Sequence, residues 1–274
     1  MALAAEFRPP PNRPALMGVL NVTPDSFSDG GSYPTVDAAI EAALCMVDDG
    51  ADLIDVGGES TRPGALPVSV EEELRRTIPI VGALARRDVS VSIDTMKPEV
   101  ASAALEAGAV FVNDVGGLRA EGMLEVVVAA QCSVCIMHMK GEPSAMQENP
   151  EYSDVVREVR SFLLQRAVRA EEAGVKAERI WIDPGIGFGK SLKHNLALLS
   201  HLDVLSATGF PVLVGVSRKS FVGRVLGGLE VHDRLEGTLA AQVVAQVKGA
   251  RMLRAHDIKP ARRAIELAAA ILEG

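Results

Sequence analysis

The chain has 274 residues, is 48% hydrophobic and carries a formal net charge of −8 at pH 7. This hydrophobic content supports a large core and excludes a disordered chain, and the negative charge argues against a nucleic-acid partner. No apolar run reaches the roughly 18 residues that suggest a membrane span, and Met1–Pro14 lacks the apolar stretch of a signal peptide. The three cysteines suggest no disulfide framework, so we expect reduced thiols and a cytoplasmic location.

Apolar, β-branched runs recur along the chain, and each ends in a polar residue. Helical patterns separate these runs, and several helices finish on a glycine directly before the next run, as at Gly50, Gly108 and Gly174. Repeated βα units predict a parallel sheet, and a chain of about 250 residues suits a single (β/α)8 TIM barrel of the α/β class, with its active site at the C-terminal ends of the strands. The eight predicted strands are Ala15–Leu20, Leu53–Val56, Val89–Ile93, Val110–Val112, Val134–Met137, Ile180–Ile182, Val212–Val216 and Met252–Leu253.

An open, doubly wound sheet is the competing architecture. Such a sheet would gather its ligand-binding residues at one switch point, whereas here polar residues follow nearly every predicted strand. No linker divides the chain, so we predict a loose leader over residues 1–14 and one barrel domain over residues 15–274.

Two strand-to-helix loops are long and rich in glycine, proline and hydroxyl residues, which is typical of binding loops. The first covers Val22–Pro34 and follows Asn21, which ends the first strand; its oxygen ligands suit Mg²⁺, an ion that usually keeps waters and binds substrate phosphates. The second covers Glu59–Val68, where glycines allow close backbone approach and Arg62 can bind a phosphate with both ends of its guanidinium.

Asp94, Asn113 and Asp183 each end an apolar run, so they should converge at the barrel mouth. A buried carboxylate needs partners, and a heterocycle with ring N–H and amino groups would supply them. A mutually satisfied polar core is the alternative. At the fifth strand, Cys132 and Cys135 are spaced as in a redox or zinc motif, but positions three apart in extended chain face opposite sides, which favours two buried, reduced residues.

The ends of strands seven and eight indicate an anion site. Asp183–Lys190 (DPGIGFGK) lacks the spacing of a nucleotide-binding P-loop. Ser217–Ser220 (SRKS) and Arg254–Asp257 (RAHD) follow strands seven and eight, where barrel enzymes often bind phosphate. An acidic protein with a basic pocket suggests a small anionic substrate, and His256 can neutralise or protonate a phosphate oxygen. For His138, at the end of strand five, lining the pocket and simple packing both remain open, while Trp181 is expected to be structural.

Eight segments in order along the chain resemble the dihydropteroate synthase family of the folate pathway. Together they are specific, although DPGIGFGK or RAHD alone would be weak. They are Asn21–Gly31 (NVTPDSFSDGG), Asp55–Gly64 (DVGGESTRPG), Ile93–Lys97 (IDTMK), Val112–Gly116 (VNDVG), Met137–Gly141 (MHMKG), Asp183–Lys190, Gly215–Ser220 (GVSRKS) and Arg254–Asp257.

The resemblance implies a transferase, inhibited by sulfonamides, that condenses a dihydropterin pyrophosphate with 4-aminobenzoate and releases pyrophosphate. It also implies a homodimer formed through outer helices. By analogy, the pterin would contact Asp94, Asn113, Met137, Asp183, Phe188 and Lys219. The pyrophosphate would contact Asn21, Arg62, Arg254 and His256, with Asn21 also binding Mg²⁺. The aminobenzoate would contact Phe27, Thr61, Pro63 and Ser220. The residues expected to act in catalysis are Asp94, Asp183, Lys219, Arg254 and His256.

Two other functions remain open. A pterin-binding methyltransferase domain of the same barrel superfamily would share the pterin carboxylates but needs no pyrophosphate anchors. A catalytically silent paralogue would bind pterins or serve as an assembly partner, and losses of site residues would indicate it. The intact NVTPDSFSDGG, SRKS and RAHD segments argue against both.

Overall fold

The computed structural model describes residues 7–22, 35–61, 65–141 and 145–273, and the structural statements below refer to these residues. Eight parallel strands close into a barrel in sequence order, which confirms the predicted TIM barrel. Each strand pairs with the next, and β1 pairs with β8. The strands are β1 (Ala15–Asn21), β2 (Leu53–Gly57), β3 (Val91–Asp94), β4 (Phe111–Asp114), β5 (Ser133–Met137), β6 (Ile180–Asp183), β7 (Val212–Gly215) and β8 (Ala250–Ala255).

Helices cover the outside of the barrel, and side-chain caps fix where several of them begin. Ser69 accepts a hydrogen bond from the backbone of Glu72 at the start of α2, and Thr35 and Asp154 cap α1 and α5 in the same way. The short helices α7 and α8 are not apparent from the sequence, because such short segments display little helical periodicity. The helices are α1 (Val36–Asp48), α2 (Val70–Ala85), α3 (Pro98–Glu106), α4 (Met123–Ala130), α5 (Val155–Glu172), α6 (Leu192–Ser200), α7 (Asp203–Ser206), α8 (Ser220–Val225), α9 (Leu235–Val247) and α10 (Ile258–Glu273).

An apolar layer fills the N-terminal half of the barrel and sets the depth of the site above it. Side chains of a strand alternate between its two faces, so the residue two positions after each layer residue points the same way. Leu53 is thus followed by Asp55, and Trp181 by Asp183. The layer consists of Ala15, Met17, Leu53, Phe111, Cys135, Trp181, Leu213 and Met252.

Residues 7–14, which the sequence pattern assigned to a loose leader, lie against the barrel. The Phe7 ring is buried with its centroid 6.1 Å from that of Phe111 and 6.2 Å from that of Trp181. Arg13 donates to both carboxylate oxygens of Asp52 at 2.7 Å. The Phe7 ring covers one end of the core layer and removes apolar surface from water. This burial favours the position of residues 7–14 against the barrel.

The thiols and the helix lengths agree with the sequence expectations. Cys132 and Cys135 are buried and free of disulfide bonds, and burial raises the pKa of Cys132 to about 12, which keeps this thiol protonated. Trp181 is buried in the core layer, as expected of a structural residue. Within the described ranges, no helix combines the length and the apolar composition needed to cross a membrane.

Candidate active site

A cavity of about 840 Å³ opens at the C-terminal ends of the strands. Asn113, Met137 and Asp183 are buried at the tips of β4, β5 and β6 and are absent from the cavity wall. Phe27, Arg62 and Pro63 lie outside the described residues. The predicted site residues that line the cavity are Asn21, Thr61, Asp94, Phe188, Lys219, Ser220, Arg254 and His256.

Arg254 is already paired with two carboxylates. Its Nε donates to Asp55 Oδ2 at 2.6 Å, and its Nη2 donates to Asp94 Oδ2 at 2.7 Å. Asn113 Nδ2 donates to the same oxygen of Asp55 at 3.0 Å. Asp55 is fully buried, and its Oδ1 has no hydrogen-bond partner within the described part of the chain. An amide predicted to contact the pterin and a predicted pyrophosphate anchor are therefore oriented by one carboxylate oxygen.

For both Asp94 and Arg254, burial and the charge of the paired residue shift the pKa in opposite directions. Burial raises the pKa of Asp94 to about 7, the negative charge of Asp55 adds to this rise, and Arg254 opposes it. For Arg254, burial lowers the pKa, but the charges of Asp55 and Asp94 outweigh burial and raise it. The guanidinium therefore stays charged, while burial and the charge of Asp55 make the ionised form of Asp94 less favourable than in an exposed aspartate.

A second group of residues lies close to Asp183. Burial lowers the pKa of Lys219 to about 8, although Asp183 opposes the shift. Lys219 Nζ donates to the Ile186 carbonyl and lies 4.7 Å from the centroid of the Phe188 ring. Met137, the register partner of Asp183, belongs to the apolar cluster against which Phe188 packs. An ammonium, a carboxylate and two apolar side chains can together bind a flat, polar heterocycle.

The glycine loop after β6 keeps Asp183 and Lys219 close together. Asp183 Oδ1 accepts a hydrogen bond from the Gly185 backbone at 2.7 Å, which fixes the carboxylate. Gly187 has a φ of +87°, and a Cβ at this position would lie 3.3 Å from Lys219 Cδ. Glycine satisfies both the backbone conformation and the tight contact.

The loops after β7 and β8 are tied to each other at the predicted anion site. Ser217 Oγ accepts a hydrogen bond from the His256 backbone at 3.2 Å and lies 3.1 Å from His256 Nδ1. Arg218 donates to both carboxylate oxygens of Asp257, at 3.0 and 2.7 Å. Ser220 begins α8 and is exposed to the cavity. The loop after β7 therefore holds His256, and His256 and Ser220 line the same cavity.

Sequence reasoning left a buried pair of titratable groups without a role. Lys190 Nζ lies 3.0 Å from His138 Nδ1 and donates to the Phe188 and His138 carbonyls at 2.8 and 3.2 Å. The His138 side chain is buried and forms no part of the cavity wall. Lys190 thus joins the glycine loop to the end of β5. The sequence signals are that Asp55 is a charged residue inside an apolar strand and that Lys190 is the basic residue at the end of the DPGIGFGK segment.

Burial lowers the pKa of Lys190 to about 7 and that of His138 to about 3. An unfolded lysine binds its proton up to a pH of about 10.4, so above pH ~7 the unfolded state holds more protons and stability should rise with pH. We expect the free energy of unfolding of the wild type, relative to Lys190→Met, to rise by on the order of 2 kcal/mol between pH ~7 and pH ~9. Urea unfolding at several pH values measures it, and a flat difference would show that Lys190 stays protonated when folded.

Comparison with known proteins agrees with this geometry. Residues 17–256 match the family model described as pterin binding enzyme. The dihydropteroate synthase of Escherichia coli is 47% identical over 262 residues, which cover 95% of this chain and 93% of that protein. The chain belongs to the dihydropteroate synthase family. Members of this family are transferases of folate biosynthesis, and the chain is an enzyme of this class.

Solved dihydropteroate synthases share the whole fold. The Yersinia pestis enzyme, solved with a sulfonamide drug complex, has a TM-score of 0.92 and 44% identity and covers 96% of this chain and 95% of its own. The Xanthomonas albilineans dihydropteroate synthase in complex with 7,8-dihydropteroate has a TM-score of 0.86 and 44% identity, with coverage of 96% and 95%. The barrel and its cavity therefore belong to a dihydropteroate synthase framework.

Proposed function

We propose that this chain condenses a dihydropterin pyrophosphate with 4-aminobenzoate, giving 7,8-dihydropteroate and pyrophosphate. The observation that carries the proposal is that groups suited to a polar heterocycle and groups suited to an anion lie at the same end of the barrel. Buried groups suited to a polar heterocycle, such as Asp183 and Asn113, lie at the strand tips, and the basic residues Arg254 and His256 line the cavity. Solved relatives hold 4-aminobenzoic acid in one case and 7,8-dihydropteroate in another.

The pterin would bind at the strand tips. Carboxylate oxygens of Asp183 accept hydrogen bonds from ring N–H and amino groups, and Asn113 supplies both a donor and an acceptor. Lys219 and Phe188 lie beside the ring, with Met137 packed behind Phe188. As the bond to pyrophosphate breaks, positive charge develops on the pterin methylene group, and Asp94 and Asp183 stabilise this charge.

Pyrophosphate departure is favoured by cationic and polar groups at the cavity wall, namely Arg254, His256 and Asn21, with Arg62 assigned by sequence alone. No three His, Cys, Asp or Glu side chains of the described residues converge into a metal site. Asn21 lines the cavity and would supply one oxygen ligand, and Mg²⁺ commonly completes its coordination with water and substrate phosphates, so the residues present fit such an ion. When bound, Mg²⁺ would offset the negative charge of the leaving pyrophosphate.

The aminobenzoate would lie toward the cavity opening, between Thr61 and Ser220, both of which line the wall. Phe27 and Pro63 remain proposals from the sequence for this half of the site. A neutral aromatic amine is nucleophilic enough to attack the pterin methylene group without a strong base. The surrounding residues therefore need only to orient the amine.

A turnover assay tests the proposal. Purified protein, 6-hydroxymethyl-7,8-dihydropterin pyrophosphate and 4-aminobenzoate should yield pyrophosphate and dihydropteroate in equal amounts, with Mg²⁺ required and a sulfonamide competing with 4-aminobenzoate. Pterin binding without turnover would indicate a silent paralogue. Methyl transfer from a methylated pterin would indicate the methyltransferase alternative.

We also propose that the chain forms a homodimer through α9 and α10, because these neighbouring helices expose apolar side chains on the outside of the barrel. Val244 and Val247 are exposed on α9, and Leu267 and Ile271 are exposed on α10. Adjacent exposed apolar residues commonly mark an interface. Sedimentation velocity measures the mass of the particle directly.

A further inference from the structure

We propose that Lys97 and Glu59 are positioning residues, which hold residues 59–61 of the loop after β2 in place at the opening of the cavity. The inference rests on the proposed function, because this loop carries Thr61, assigned above to aminobenzoate. Neither Lys97 nor Glu59 is needed to contact the pterin. Their role would be to orient the second-substrate half of the site through an ion cluster formed by Glu59, Glu73, Thr95 and Lys97.

Lys97 joins two carboxylates from different elements. It lies directly before α3 and donates from Nζ to Glu59 Oε2 and to Glu73 Oε2. Glu73 belongs to α2, its side chain is only 1% exposed, and its other oxygen accepts a hydrogen bond from Thr95 at 2.6 Å. Glu73 is therefore fixed on a helix, and Lys97 connects this fixed point to Glu59 on the loop.

Glu59 closes the loop that follows it. The oxygen that contacts Lys97 also accepts a hydrogen bond from the Val68 backbone at 3.0 Å. Glu59 lies at the start of the loop and Val68 near its end, so one carboxylate contacts the chain at both places. Glu59, Ser60 and Thr61 line the cavity. The position of this part of the wall therefore depends on where the Glu59 carboxylate is held.

The residue before Glu59 is fixed by different contacts. A Cβ at Gly58 would lie 2.8 Å from Thr77 Cγ2 and 2.9 Å from Glu73 Cγ, so the backbone here rests directly on α2. Arg76 donates to the Gly58 carbonyl at 2.9 Å. Loss of Lys97 should therefore leave the end of β2 in place and release only the chain from Glu59 onward.

Electrostatics determine which partner moves when the ammonium is removed. Lys97 alone bridges the two carboxylates in the ion cluster, and without it these like charges repel across a partly buried space. Glu73 is held by its helix and by Thr95, whereas Glu59 lies on a loop and can turn toward water. The charges of Glu59 and Glu73 also raise the pKa of Lys97 in spite of burial, so the ammonium remains charged at neutral pH.

The test compares Lys97→Met with the matched variant Lys97→Arg. We expect Lys97→Met to raise KM for 4-aminobenzoate about tenfold, to leave kcat within about threefold, and to leave the Kd for 6-hydroxymethylpterin within about twofold. An arginine can bind both carboxylates, so Lys97→Arg should restore KM to within about threefold of the wild type. An unchanged KM, or an equal loss of pterin affinity, would overturn the proposal.

A second set of measurements tests the proposal even if Lys97→Met folds poorly. Glu59→Ala should raise KM for 4-aminobenzoate at least as much as Lys97→Met, and the double variant should be no worse than Glu59→Ala, because both substitutions break the Lys97–Glu59 contact. Additive effects would contradict the mechanism. Backbone hydrogen exchange around Val68 should be faster in the variants than in the wild type. Exchange in β3 should be the same in all of them. This readout needs no substrate, so it tests the loop even if the wild type shows no turnover and the proposed function fails.

Discussion

Replacement of Arg254 by methionine is expected to lower kcat/KM by about 10³-fold or more and to destabilise the fold by roughly 3–5 kcal/mol. The guanidinium holds Asp55 and Asp94 at 2.6 and 2.7 Å, and Asp55 is completely buried. Its removal leaves two buried carboxylates without their counterion, and the leaving pyrophosphate loses a cationic partner. Urea unfolding and steady-state kinetics measure the two effects separately.

The double variant Asp55→Asn/Arg254→Met separates stability from catalysis. Neutralising Asp55 removes the buried charge that Arg254 compensates, so the double variant should regain part of the lost stability. Its turnover should remain low, because the pyrophosphate anchor is still missing. Recovery of turnover together with stability would show that Arg254 acts only on the fold, and near-normal turnover in Arg254→Met would remove it from the reaction.

Replacement of Asp183 by asparagine is expected to remove most of the pterin affinity while the barrel stays folded. The asparagine carbonyl can still accept the Gly185 N–H, which Asp183 Oδ1 accepts at 2.7 Å. The other oxygen becomes an NH₂ group that faces ring donors. A lost charge-assisted hydrogen bond costs roughly 1.5–3 kcal/mol, so the Kd for pterin should rise at least about tenfold. Calorimetry measures it.

Asp114→Asn is the matched control for this experiment. Asp114 is also a buried aspartate at a strand end, and its Oδ1 accepts from the Gly116 backbone at 2.7 Å in the same i to i+2 arrangement. Its Oδ2 accepts from the Leu118 backbone at 2.7 Å, so this variant should lose stability. Pterin affinity should not change. Equal loss of pterin affinity in both variants would assign Asp183 a structural role.

The sequence predicted the strands and the end of the barrel at which the site lies. Each apolar run is short and bounded by polar residues or glycine, and a strand alternates its two faces, so Trp181 in the core layer places Asp183 above it on the same face. The same reasoning applies to Met252 and Arg254. These relations are local along one strand, so no knowledge of its neighbours is needed.

Pairings between strands could not be read in this way. Asp55 and Arg254 are far apart in the sequence and meet only because β1 closes the barrel between β2 and β8. Lys97 likewise finds Glu59 and Glu73 only after α2 and α3 are placed beside each other. The attachment of Phe7 also depends on closure of the barrel, because closure creates the apolar core layer against which the Phe7 ring packs.

The sequence by itself therefore determined the repeating βα unit, the barrel and the inventory of polar residues at its mouth, since alternation and helix periodicity are properties of each segment. Only the tertiary structure decided which of those residues neutralise one another. Buried charges take partners from whichever strands closure brings within hydrogen-bond distance, because an unpaired charge in a core costs several kcal/mol. The pairing of Arg254 with Asp55 and Asp94, and of Lys97 with Glu59 and Glu73, was decided in this way.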